Sequence, residues 1–100
     1  MSSNNNLKKK QPDTKALSQI SLLLNKNKYT EAEKKIKKLI KEHPDIFIYK
    51  NLLAIIYASQ KKFKNSTILL KQIIKQAPNY IDAYVNLGNV YKSLGQLQKS

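Results

Sequence analysis

Residues 34 positions apart in this chain match in size and polarity, and that period limits the fold more than any other feature. Pro44 pairs with Pro78. Tyr29, Phe63 and Leu97 form one column, and Ala32, Ser66 and Ser100 form another. Ile36 aligns with Leu70, Leu39 with Ile73, and Ile40 with Ile74. Leu53 matches Leu87, Ala54 matches Gly88, and Tyr57 matches Tyr91. A unit of this length cannot bury its apolar face alone, so neighbouring units must stack. The units run 13–46, 47–80 and 81–100, and the third stops after 20 of its 34 positions. Residues 1–12 are polar, with Asn4 to Asn6 and Lys8 to Lys10, and read as a disordered basic tail.

Inside each unit the apolar spacing is helical. Ile36, Leu39 and Ile40 share one face, as do Leu70, Ile73 and Ile74. The small residues Ala32 and Ser66 precede these runs by four and allow two helices to approach closely. Pro44 and Pro78 disfavour helix at His43 and Ala77. Asp45 and Asn79 follow as N-cap residues, and Thr30 to Glu33 reads as a capping box. Gly95 is placed as a helix stop. The predicted helices span 14–26, 30–43, 46–59, 63–76 and 80–94, with a sixth starting near 97. Ile46 to Tyr49 alone looks strand-like, and its Pro-Asp lead and apolar continuation favour helix. The fold class is therefore all-α, built from antiparallel helix hairpins.

Composition narrows the chemistry. The chain has no Cys and one His, which excludes disulfides, thiol catalysis and multi-histidine metal sites, and we expect no cofactor. Two glycines cannot write a phosphate loop. His43, beside Glu42, sits at a helix end where it complements the dipole, and no catalytic residue is assigned. The net charge is +13 and every basic residue is Lys. Lys, Asn and Ile supply 40 of the 100 residues, so drift toward A/T-rich codons accounts for much of the charge and for the missing Arg. The charge is +3 over 1–12, +3 over 13–46, +6 over 47–80 and +1 over 81–100. Tyrosines do not interleave with these lysines as base stacking requires, so nucleic acid is not expected as a partner. No apolar run approaches a membrane span or a secretory signal, and a cytoplasmic location is expected.

The pattern resembles the tetratricopeptide repeat, a 34-residue helix–turn–helix unit. In the third unit Tyr84, Leu87, Gly88 and Tyr91 stand at the family's aromatic, Leu, Gly and Tyr positions. The second has Leu53, Ala54, Tyr57, Ser66, Leu70 and Pro78, with Lys50 in place of the aromatic. The first is degenerate. It keeps Ile20, Leu23, Tyr29, Ala32, Ile36 and Pro44, with Ala16 and Gln19 at the aromatic and Leu positions. The resemblance implies a right-handed α-solenoid whose first helix in each unit lines a concave groove. The function it implies is that of a non-catalytic protein- or peptide-binding scaffold. The implied groove residues are Leu17, Ser21 and Leu24 from the first helix, and Ile48, Asn51, Leu52 and Ile55 from the third. The fifth supplies Val85, Asn86, Asn89 and Lys92.

Phe47 to Ala58 is apolar almost all round, which fits either a groove floor or a central helix buried between two neighbours. The run Asn86-Leu-Gly-Asn-Val-Tyr91 is similar to the repeats of O-linked N-acetylglucosamine transferase, where groove asparagines hold a peptide backbone. Here the matching positions are Leu52 and Ser18, so that ladder has one rung. The family's clamp for chaperone tails would fall on Leu17, Ser21, Leu52, Asp82 and Asn86. None is basic, so that ligand is not expected. The face carrying Tyr84, Leu87, Val90 and Tyr91 lacks a packing partner in the truncated third unit. We expect the N-terminal part of a longer protein, with a short chain that self-associates through this face as the alternative. Two rival functions remain open. One is an adaptor preceding a glycosyltransferase or sulfotransferase domain. The other is a binder of anionic surfaces or nucleic acid through lysines on the outer helices.

Overall fold

A computed structural model describes residues 11–99. The expected disordered tail lies outside the described residues, apart from Gln11 and Pro12. Five helices follow in order: α1 (Thr14–Asn25), α2 (Tyr29–Glu42), α3 (Phe47–Ser59), α4 (Phe63–Gln76) and α5 (Ile81–Lys99). Among the described residues there is no strand, and the chain is all-helical as its spacing implies.

The backbone itself repeats at the 34-residue offset. Asn27 and Lys61 both adopt left-handed φ, at 59° and 63°. Each sits in a turn closed by the next residue, with Lys28 N–H donating to the Leu23 carbonyl and Lys62 N–H to the Tyr57 carbonyl, both at 2.8 Å. At the other end His43 and Ala77 leave the helical conformation in the same way, with φ of −137° and −136°. The following Pro44 and Pro78 impose that conformation and end α2 and α4.

α3 is the hub of the packing. It contacts α2, α4 and α5. Tyr49, Leu53 and Ile56 of α3 join Ile20, Ala32, Ile36 and Ile46 in one buried cluster. Ala54 turns the other way and joins Leu70, Ile73, Ala83 and Val90 in a second. Ala54 and Ser66 are both fully buried, and the Ser66 hydroxyl donates to the Ala54 carbonyl at 2.8 Å. A small side chain at each position lets the α3 and α4 backbones come this close. The Tyr49 hydroxyl accepts the Asp13 backbone N–H at 2.7 Å, and the Asp13 carboxylate caps α1 through Ala16 N–H. Stacking helices in a row leaves an elongated body of 58 × 31 × 17 Å.

Several local expectations are corrected. α5 does not stop at Gly95 but runs on to Lys99. Gly95 stands 34 positions after Lys61, yet its φ is not positive. Helix propagation gains a hydrogen bond per residue, and α5 keeps that gain through Gly95. The Thr30–Glu33 capping box does not form, because α2 starts at Tyr29 with Lys28 as its N-cap and no side-chain cap. Asp45 does not cap α3 either; the N-cap is Ile46, without a side-chain bond. Val90 is buried rather than unpartnered, and Leu87 packs against the second cluster.

Glu33 ties α2 to the α3–α4 turn. Its carboxylate accepts from Lys37 at 2.8 Å and from Gln60 at 2.9 Å, with the Lys62 ammonium at 3.8 Å. The Lys37 and Gln60 hydrogen bonds hold the carboxyl below the usual carboxylate range, and Glu33 in turn raises the Lys37 ammonium. A depressed carboxyl contributes stability that is full above its unfolded value, about 4.5, and is lost as pH falls through the lower folded value. Glu33→Gln should therefore flatten the acid limb of melting temperature against pH, read by circular dichroism. A limb unchanged from the parent would show that the cluster does not contribute. In urea titrations Ser66→Ala should cost about 1 kcal/mol for one buried hydrogen bond. Ser66→Leu should cost more, with overpacking adding roughly 1–3 kcal/mol.

Candidate functional site

One cavity, of about 290 Å³, is lined by Leu17 and Ser21 of α1, Ile48, Asn51, Leu52 and Ile55 of α3, and Asp82 of α5. Only α1, α3 and α5 supply its walls. The α3 contribution follows helical spacing, at i, i+3, i+4 and i+7. This resolves the apolar character of α3 into three faces. Two enter the buried clusters, and Ile48 and Ile55 face the cavity with Leu52, which also packs against the first cluster. Burial between neighbours thus accounts for most of the helix, and the third stripe faces the cavity.

A second cavity, of about 350 Å³, adjoins the first through Ile55. Ala54, Ala58, Phe63 and Val90 give it an apolar floor, and Asn86, Asn89, Ser59, Ser93 and Lys61 give it a polar rim. Of the residues named from sequence, Leu17, Ser21, Ile48, Asn51, Leu52 and Ile55 meet in the first cavity, and Ile55, Asn86 and Asn89 in the second. Leu24 packs instead against the first buried cluster. Val85 and Lys92 are exposed on α5 and line neither cavity.

Between the cavities the Asn86 side-chain amide donates to the Asn51 side-chain oxygen Oδ1 at 2.9 Å. Asn51 is only 6% exposed, so this bond satisfies an otherwise costly buried acceptor. Counting at a strict offset of 34 sets Asn86 against Leu52. The true neighbour lies 35 positions back, one residue around α3, which is why the pair escapes a column-by-column reading. Among the lining residues absent from the sequence-based set, Asp82 of the first cavity and Lys61 of the second are the charged ones. Asp82 is the one acid after Asp45, and that isolation was the available signal.

The stripe of α5 that is free of both clusters holds Ile81, Tyr84, Val85 and Tyr91, which are 71%, 45%, 55% and 48% exposed. The Tyr84 hydroxyl donates to the Pro78 carbonyl at 2.9 Å. Among the described residues no group of His, Cys, Asp and Glu is arranged to hold a metal ion. No helix there is long and apolar enough to cross a membrane.

The amide pair is open to a double-mutant cycle. Asn51→Ala and Asn86→Ala should each destabilise the chain. Together they should show a coupling of about 1 kcal/mol by denaturant unfolding. Strict additivity would mean that the two amides do not depend on each other.

No solved structure matches the chain. A family model described as the tetratricopeptide repeat matches residues 69–100, the stretch holding Pro78, Tyr84, Leu87, Gly88 and Tyr91. On an all-helical chain, that match supports a tetratricopeptide repeat family.

Proposed function

We propose that the chain is a peptide-binding scaffold module and that the paired cavities on α1, α3 and α5 form its groove. The observation that carries this reading is the first cavity. Leu17, Ile48, Leu52 and Ile55 give it an apolar floor, with Asn51, Ser21 and Asp82 as its polar groups. Apolar recesses with a few convergent polar groups are the usual form of a recognition site. A scaffold of packed helices presents them preformed, so little ordering cost falls on the protein. The Asn51–Asn86 pair offers amide donors and acceptors to a peptide backbone, in keeping with the similarity of Asn86 to Tyr91 to the repeats of O-linked N-acetylglucosamine transferase. Asp82 at the cavity wall repels a terminal carboxylate and favours a ligand whose contacting group is neutral or cationic.

Binding by the groove would serve a free-standing scaffold and the adaptor of a longer enzyme alike, and tetratricopeptide repeats are in general non-catalytic. Ile55 belongs to both cavities and is half-buried. Ile55→Glu should abolish binding of a partner peptide selected by display against the intact chain, with the helical circular dichroism signal retained. Unchanged affinity would remove the groove assignment, and so would a variant that simply unfolds.

A further inference from the structure

A second recess lies on the other side of α3. It holds about 360 Å³ between Leu53 and Tyr57 of α3 and Lys64, Ile68 and Leu69 of α4. At ~100° per residue, Leu53 and Tyr57 point away from the Ile48, Leu52 and Ile55 stripe, so this recess is separate from the groove. We propose that it binds an acidic amphipathic helix of a partner protein.

Its floor is apolar and its rim is cationic. The Lys37 and Lys62 ammonium groups stand 5.8 and 5.9 Å from the Tyr57 ring centre. Lys64 is part of the lining. Against these three cations stands the Glu33 carboxylate, so the rim keeps a net positive charge. Ile68 is 51% exposed at its edge.

The fold does not need an apolar side chain there. The same recess recurs 34 positions earlier, where Leu23, Glu31, Lys34, Lys35 and Lys38 line about 370 Å³. Tyr57, Asn65, Ile68, Leu69 and Gln72 occupy the matching places. Lys34 stands where Ile68 stands and Lys35 where Leu69 stands, and both lysines are exposed. The architecture thus accepts a charged surface at these positions, while the second recess is apolar inside a basic rim.

Lys64 to Gln72 spans ~12 Å along α4, two helical turns. That length accommodates the i, i+3, i+4, i+7 side chains of a docked helix. Its flanking carboxylates would meet Lys37, Lys62 and Lys64. A flat lipid surface meets this recess less well, because the floor residue Leu53 is only 7% exposed.

The test is fluorescence anisotropy with the full chain and a labelled synthetic helix carrying Leu at those spacings and Glu on both flanks. Ile68→Lys installs the residue found 34 positions earlier and should weaken binding about tenfold or more, the loss expected for one buried aliphatic contact. Lys64→Glu, at an exposed position that leaves packing untouched, should also weaken it, and Gln in place of the peptide's Glu should do the same. Added salt should lower the affinity of the parent chain. Ile55→Glu separates the two surfaces, since only a peptide seated in the groove would be lost with it. Three results would overturn the proposal. In the first, both Ile68→Lys and Lys64→Glu bind as the parent does. In the second, Ile55→Glu alone abolishes binding. In the third, the chain floats with phosphatidylserine vesicles but does not bind the peptide at millimolar protein.

Discussion

The near-contact of α3 and α4 at Ala54 and Ser66 sets the geometry on which the other helices depend. Two side chains with almost no reach bring the backbones together, and a hydroxyl-to-carbonyl hydrogen bond fixes their relative position. With α4 held there, Leu70 and Ile73 face α5, and Ala83 and Val90 complete the second cluster. On its other side α3 sends Tyr49, Leu53 and Ile56 into the first cluster. One helix thus serves two cores, and its remaining stripe lines the first cavity. The apolar content of Phe47–Ser59 follows from that double duty.

Much of this could be read in the sequence, because the strongest signals were periodic and local. Proline fixes the conformation of the residue before it, so Pro44 and Pro78 mark the ends of α2 and α4 without reference to the rest of the fold. The small column of Ala32 and Ser66 marks close approach for the same reason. What escaped depends on neighbours distant in sequence. Lys28 and Ile46 are poor caps by type, yet the helices begin there, because packing of the apolar faces outweighs a cap of about 1 kcal/mol. Tyr49 is placed by its sequence in a helix, with no partner named. Its role, accepting the Asp13 N–H from within the core, requires knowing that α1 lies against α3.

Site residues follow the same division. Those named from α3 meet in one cavity, since they share a single helical stripe. The Asn51–Asn86 bond joins positions 35 apart, and a strict 34-residue register cannot pair them. In this pair the neighbour across the helices lies one residue off the repeat register. Gly95 illustrates the converse. Its column holds Asn27 and Lys61, both left-handed, yet Gly95 stays inside α5, whose hydrogen-bond ladder runs on to Lys99.

The elongated body has a mechanical consequence. Each helix packs chiefly on its neighbours in sequence, and among the described helices α1 and α5 do not pack on each other to any great extent. α1 is held by α2 and by the Asp13–Tyr49 hydrogen bond, whereas α3 is gripped on both sides. Opening therefore proceeds from the ends inward, as in other linear stacks. On this arrangement the amide protons of α3 should be the last to exchange with solvent, and a pull on α1 should detach the helices one at a time.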